Sequence, residues 1–264
     1  MAISELNEDE LKSNAVEYSK WRSKRIGSSD IPVILGESPF KTPFQLWKEK
    51  TGRSENSFYT NHAIELGKRF ENTVRMRLEF QLDIDFTPTI IYDDKYEFMM
   101  SSLDGYNEEH NLVLEIKSVQ GGPTWEKACA GVVSSSYISQ VQHQLYVSKA
   151  KKNLFNVAKL AQTNGVYRIE DTRLIEVFHD KDKQDEIIKA SLEFYNFMTN
   201  DIAPPLHKRD CLFVNDDEAV SLLKDKLKLI EYMVKKYNHT NFDISGNRLL
   251  KDKNDLWRLT LNKG

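Results

Sequence analysis

LVLEIKSV, residues 112–119, is short, rich in branched side chains and bounded by turn formers. It reads as a strand. Strand side chains alternate faces, so Glu115 and Lys117 point one way while Leu114 and Ile116 point the other, into apolar packing. A carboxylate and an ammonium on a core strand are costly unless they are paired or bound to something charged. Taken alone, the stretch fits either a structural Glu–Lys ion pair or half of a site for a charged ligand.

The flanking segments extend the pattern. TPTIIYDD (87–94) and YEFMMSS (96–102) read as strands before it. NLFNVAKLAQ (153–162) and VYRIEDTRLIEVF (166–178) read as two more after it, joined at Asn164-Gly165, a strong hairpin signal. Between these groups, residues 121–135 carry Gly and Ser and read as a loop, and YISQVQHQLYVSKA (137–150) reads as a helix. Upstream, helices are expected over 5–20, over 31–35 with Ser29 or Asp30 as N-cap and Gly36 as stop, and from Thr42-Pro43 through Phe44, Leu46 and Trp47 to Gly52. A longer one is expected over 60–81, from the spacing of Ile64, Phe70, Val74 and Leu78. DKQDEIIKASLEFYNFM (182–198) is amphipathic, and Pro204-Pro205 ends the compact pattern. This order predicts an α/β domain over 1–205, with a central mixed β-sheet flanked by helices. Residues 206–264 read as a C-terminal helical extension, with heptad-like spacing at Val220, Leu223, Leu227, Ile230 and Val234.

Composition narrows the function classes. The chain of 264 residues is 40% hydrophobic and 29% charged, a foldable composition and not a disordered one. No apolar run approaches the roughly 18 residues that span a bilayer. The opening MAISELNEDELKSN is acidic and polar, unlike a signal peptide, so a cytoplasmic protein is expected. Two cysteines, Cys129 and Cys211, make no disulfide framework, and the six histidines lack zinc spacing. The net charge of −3 argues against a polybasic nucleic-acid coat. It leaves room for a nucleic-acid enzyme that confines its basic residues to one groove.

Chemistry enters with SSLDG (101–105). A hairpin from this segment to LEIK places Asp104 beside Glu115. Adjacent carboxylates repel unless a cation neutralises them, and an all-oxygen environment suits Mg²⁺. The plain alternative is that Asp104-Gly105 is only a turn. Asp followed by Glu-x-Lys across a hairpin is the PD-(D/E)xK nuclease signature, with Leu103 here in place of the proline. In that reading Asp104 and Glu115 hold Mg²⁺, the Ile116 backbone carbonyl adds a ligand, and Lys117 orients or deprotonates the attacking water. A third carboxylate is wanted from the preceding helix, where GKRFEN (67–72) offers Glu71. Its plain alternative is an i,i+4 pair with Arg75. On the helix after the motif, Gln140 or Gln142 could hold the lysine or the water; the plain alternative is a polar face that helps the helix pack, with His143 exposed.

These motifs together resemble the lambda-exonuclease-like (YqaJ-type) viral recombination nucleases, a branch of the PD-(D/E)xK superfamily. The series runs over roughly residues 18–200: WRSKRIGSSDIPVILG (21–36), GKRFENTVRMRLEF (67–80), PTIIYDD (88–94) with SSLDG (101–105), LEIKS (114–118) and QVQHQLYV (140–147). The resemblance implies a restriction-endonuclease-like core. It implies a Mg²⁺-dependent exonuclease, with Mn²⁺ able to substitute, that digests one strand of duplex DNA from 5′ to 3′ and leaves 3′ overhangs. It also implies a ring-shaped homotrimer, a single-strand-annealing partner and, for a phage protein, the host cytoplasm. Residue by residue, Glu71, Asp104 and Glu115 are the implied metal ligands, Lys117 the catalytic lysine and Gln140 its support. Arg25, Ser29 and Ser102 are the implied binders of the 5′-phosphate, and helix N-termini and arginine forks suit that group. The loop SVQGGPTWEK departs from the family. Lys127 is the candidate for a second phosphate-binding base, and a strand-splitting wedge is expected near Ile64 and Leu66. Two other functions share these residues: a structure-specific or restriction-type endonuclease, and a non-catalytic DNA-end-binding protein.

Overall fold

LVLEIKSV forms the strand Leu112–Val119 (β4), and the sheet assembles around it. The computed structural model describes residues 15–54, 62–207, 209–210, 225, 228, 232, 241–244, 247–251 and 257–261. They fall into two units, Met1–Pro204 and Pro205–Gly264. The first opens with α1 (Ala15–Ser23), β1 (Ile26–Gly27), a 3₁₀ turn at Ser28–Asp30, α2 (Ile31–Ile34), α3 (Pro43–Lys50) and α4 (His62–Leu82). Next come β2 (Thr87–Tyr92) and β3 (Met99–Asn107), then β4, α5 (Pro123–Cys129) and α6 (Ser135–Ser148). β5 (Lys152–Thr163), β6 (Val166–Val177) and α7 (Lys181–Thr199) complete the unit.

Local rules set several boundaries. Thr42 accepts from the Gln45 amide at 3.1 Å while Gln45 Oε1 accepts from the Thr42 amide at 3.0 Å, a reciprocal cap that starts α3. Asn164 and Gly165 both have positive φ, 51° and 78°, as a tight hairpin between β5 and β6 requires. The sheet is mixed, as expected. β4 runs parallel to β5 across the α6 crossover, and β2–β3, β3–β4 and β5–β6 are antiparallel.

Each face of the sheet has its own core. Leu66, Phe70, Val74 and Leu78 of α4 pack on Leu112, Leu114 and Ile116 of β4 and on Leu154, Ala158 and Leu160 of β5. On the opposite face Val141, Leu145 and Val147 of α6 pack against Val113, Phe155 and Val157. Glu115 and Lys117 thus share the α6 face, as strand alternation requires.

Three expectations need correction, and one alternative falls away. The loop expected over 121–135 contains α5, because Pro123 suits a first helical turn and Ala128 is buried against the sheet. Asp104-Gly105 is not a turn: β3 continues to Asn107, and the chain reverses at 108–111 with Asn111 at φ 55°. The segment after 206 is not purely helical, because Asn241–Ile244, Asn247–Lys251 and Trp257–Leu261 (β7–β9) form an antiparallel three-stranded sheet. Residues 225, 228 and 232 are helical, whereas Val220, Leu223, Leu227, Ile230 and Val234 lie outside the described residues, as does the 5–14 part of the helix expected over 5–20. Finally, Leu66 is buried in the α4 core and cannot act as a wedge, while Ile64 is exposed. Among the described residues no helix is long and apolar enough to cross a membrane.

Gly105 is there for close approach. A Cβ at this position would lie 2.7 Å from Phe86 Cβ and 3.3 Å from Leu114 Cβ. Gly105→Ala should therefore lose about 1–3 kcal/mol in urea unfolding, as overpacking does. Gly67→Ala, on α4 with open space around it, should gain about 0.5–1 kcal/mol. An unchanged midpoint for Gly105→Ala would remove this account of the glycine.

Candidate active site

The site is built on a parting of two strands. β3 and β4 pair only at Gly105↔Leu114, Tyr106↔Val113 and Asn107↔Leu112. β1 pairs with Met99 and Met100 of β3. Both lie on the edge of β3 opposite β2, and neither pairs with Ser101–Asp104. Against β2 the register shifts, so that Asp104 and Gly105 together face Pro88, between the pairs Leu103↔Thr89 and Tyr106↔Thr87. Pro88 has no amide to donate, which suits it to a bulge. The bulge re-aims Asp104 into the gap, where its Oδ2 accepts the Ile116 amide at 2.8 Å in place of a ladder bond. The N–H and C=O of one strand residue face the same neighbour, so the Ile116 carbonyl also faces the gap.

Glu115 is 2% exposed and fully engaged. Its Oε1 accepts Gln140 Nε2 at 2.6 Å and pairs with Lys117 Nζ. Its Oε2 accepts Gln144 Nε2. Lys117 also lies 5.1 Å from the Tyr137 ring centroid. Burial works to lower the Lys117 ammonium, but Glu115 and Asp104 outweigh it and hold it above the ordinary lysine range. Burial, reinforced by the Glu115 and Glu71 carboxylates, pushes the Asp104 carboxyl well up, against the opposing Lys117 charge and Ile116 amide.

Glu71 is close enough for its charge to reach Asp104. It is also the i,i+4 partner of Arg75 at 3.8 Å, and Arg75 Nη1 donates to the Asp104 carbonyl at 2.9 Å. Among the described residues no three His, Cys, Asp or Glu side chains converge closely enough to hold a metal ion. The donor chemistry nevertheless fits a hard divalent cation. Asp104 and Glu115 are oxygen donors, their mutual repulsion is registered in the raised Asp104 carboxyl, and the Ile116 carbonyl faces them.

Beside the gap, Ser29, Ser102 and Gln140 line one cleft of about 190 Å³, with Tyr18, Arg22, Gly27, Ser28 and Met100. Three expected site residues thus meet there. Arg25 does not line it. Its guanidinium lies 4.2 Å from the Trp21 ring centroid, and Nη1 donates to the Trp21 carbonyl at 3.2 Å. Arg22 is the arginine on the cleft, anchored to Asp30 at 2.8 Å. Lys127 is exposed on α5.

Gln142 faces away from the site. It donates to the Phe178 carbonyl at 2.7 Å and accepts the Asp180 amide at 3.0 Å. His143 is fully buried, contrary to the expected exposure, with Nδ1 2.8 Å from Ser28 Oγ. The sequence reading missed Gln144. Helical periodicity could have found it, since 140 and 144 share a face that 142 does not.

Comparison with known proteins gives the family and the fold. The family model described as a YqaJ-like viral recombinase domain matches residues 17–151. The protein YqaJ of Bacillus subtilis (strain 168) is 30% identical over 194 residues, which cover 70% of this chain and 57% of that one. The match therefore spans less than two thirds of that relative. The crystal structure of an alkaline exonuclease, LHK-Exo, from Laribacter hongkongensis superposes with a TM-score of 0.57 at 18% identity, over 70% of this chain and 93% of that chain. LHK-Exo in complex with dAMP gives 0.56 at 20% identity, with the same coverage. The fold is thus the PD-(D/E)xK type that the sequence led us to expect.

The histidine behind the cleft makes a pH prediction. Burial pushes His143 down to about 3, with Asp30 and Asp93 raising it and Arg22 lowering it by smaller amounts. The unfolded chain takes up a proton near the ordinary value of about 6.5 while the folded chain does not. Stability should therefore fall as pH drops from about 6.5 towards 3, by about 1.4 kcal/mol per pH unit from this group. Urea unfolding at pH 7, 6 and 5 should show a shallower fall in His143→Gln than in wild type. Equal slopes would mean that this imidazole is not held neutral.

Proposed function

The chain belongs to the YqaJ-like viral recombinase domain family, and on that premise we propose that it is a divalent-metal-dependent double-strand DNA exonuclease of phage or prophage recombination. In this reading it digests from 5′ to 3′, releases 5′-mononucleotides and leaves 3′ single-stranded overhangs. The observation that carries it is the meeting of Asp104, Glu115, Lys117 and Gln140 where β3 and β4 part, next to a cleft that holds Ser29 and Ser102. The activity class is carried over from LHK-Exo, an alkaline exonuclease of the same fold.

Asp104, Glu115 and the Ile116 carbonyl would hold the cation, with Glu71 as a further carboxylate. Mg²⁺, or Mn²⁺ in its place, would supply Lewis acidity there, offsetting phosphate charge and acidifying water. The chain's own residues do the rest. Lys117, kept charged by its two carboxylate neighbours, donates to the reacting phosphate and orients the incoming water. Gln140 keeps Glu115 Oε1 turned towards the cleft. The Ser29 and Ser102 hydroxyls are placed to receive a terminal phosphate, and Arg25 would join them by leaving its Trp21 stack. A homotrimeric ring, a single-strand-annealing partner and the host cytoplasm complete the reading.

The test is digestion of linear duplexes bearing 5′-phosphate or 5′-hydroxyl ends, with Mg²⁺ or EDTA. Wild type should degrade linear duplex only with the metal and spare a closed circle. Cutting of the circle would make it an endonuclease. Lys117→Ala should lower the rate by about 10²-fold or more while leaving DNA binding in place. Degradation at the wild-type rate would leave a DNA-end-binding protein on a nuclease fold. Arg25→Ala should erase the preference for 5′-phosphorylated ends, and an equal loss on both ends would remove Arg25 from phosphate recognition.

A further inference from the structure

The two oxygens of Glu115 keep different company. Oε1 meets Lys117 and Gln140, and Gln140 lines the cleft. Oε2 meets Gln144, which has no exposed surface. Oε1 therefore faces the cleft and Oε2 the interior. Gln144 is held in turn: Asn153 Nδ2, on β5, donates to Gln144 Oε1 at 2.9 Å. Asn153 is also fully buried.

The charge of Glu115 dictates the direction of this chain. Turned over, Gln144 would set a carbonyl against a carboxylate and an amino group against the Asn153 amino group. Donors can only run from Asn153 to Gln144 to Glu115. Packing alone does not call for such a relay, since apolar side chains would fill the space without burying four polar atoms. One of those atoms, Asn153 Oδ1, has no hydrogen-bond partner among the described residues. What the relay adds, beyond filling space, is a fixed direction of donation onto Glu115.

We propose that Gln144, backed by Asn153, is a positioning residue that locks the rotation of the Glu115 carboxylate, so that Oε1 alone is presented to a divalent cation at the cleft. The cation's catalytic role rests on the nuclease reading above; its binding does not. A carboxylate free to rotate would offer either oxygen, or both, and the cation would lose a fixed position relative to Lys117 and Asp104.

The test compares wild type, Gln144→Met, Asn153→Ala and the double variant. It uses Mn²⁺ titration calorimetry, steady-state digestion of linear duplex, and duplex binding in EDTA. Gln144→Met should weaken Mn²⁺ binding and lower kcat by about 10–100-fold, the usual effect of removing a hydrogen-bond partner of a metal ligand. KM for DNA and binding in EDTA should not move. Asn153→Ala should act in the same direction and less strongly. The double variant should be no worse than Gln144→Met, because Asn153 acts only through Gln144.

Unchanged Mn²⁺ affinity and kcat in Gln144→Met overturn the proposal. Loss of DNA binding in EDTA together with a lowered Tm also overturns it, since Gln144 would then serve folding. Should Gln144→Met fail to fold, Asn153→Ala decides by the same readouts. Wild type that binds Mn²⁺ yet degrades no DNA sinks the nuclease reading, while the calorimetric comparison still decides the relay. Wild type that binds no Mn²⁺ sinks the relay's stated purpose.

Discussion

A carboxylate withdrawn from water must be compensated by its neighbours, and Glu115 is the carboxylate on which this site depends. Desolvating an ion costs several kcal/mol even after relaxation. The structure meets that cost from three directions at once. Lys117 comes from the same strand face, Gln140 from the cleft side of α6 and Gln144 from its inner side. Those partners tie β4 to α6 at a fixed register, since residues 140 and 144 must both face the strand. They also account for an otherwise apolar helix face that carries two glutamines.

A second buried charge shapes the cleft wall. Asp30 accepts the Gly27 amide at 2.9 Å and meets Arg22 and Lys50, each at 2.8 Å. Burial alone would raise its carboxyl, but the two cations outweigh it and hold it well below the ordinary range. Lys50 shows the other side of the balance: burial lowers it to about 8 although Asp30 works to raise it. Lys50 also donates to the Arg22 and Arg25 carbonyls at 3.3 and 2.7 Å, closing the C-terminus of α1. This knot fixes the Gly27–Asp30 turn, and with it the position of Ser29 on the cleft. It also explains why Arg22, and not Arg25, reaches that surface.

Local signals were readable where the chain obeys one rule at a time. Alternation in LVLEIKSV, the helix start at Thr42-Pro43 and the Asn164-Gly165 turn each depend on neighbouring residues, and each appears as expected. Asp104-Gly105 was ambiguous because its composition is that of a turn. Its actual use is a bulge opposite Pro88 and a close pass beneath Phe86, and both partners are distant in sequence. Polar residues on α6 were equally ambiguous: 140, 142 and 144 are the same residue type, and only their facing neighbours separate a site glutamine from one that holds Phe178 and Asp180.

The sequence by itself determined the residue types of the site, their order along the chain and the sheet that carries them, because motif spacing and strand period are local properties. It also determined that Glu115 and Lys117 share a face. Tertiary structure alone decided that β3 and β4 part beside Asp104, that Arg25 rests on Trp21 while Arg22 lines the cleft, and that Gln144 and Asn153 stand behind Glu115. Those outcomes depend on which charges are buried together, and burial is a property of the packed chain that no short window of residues contains.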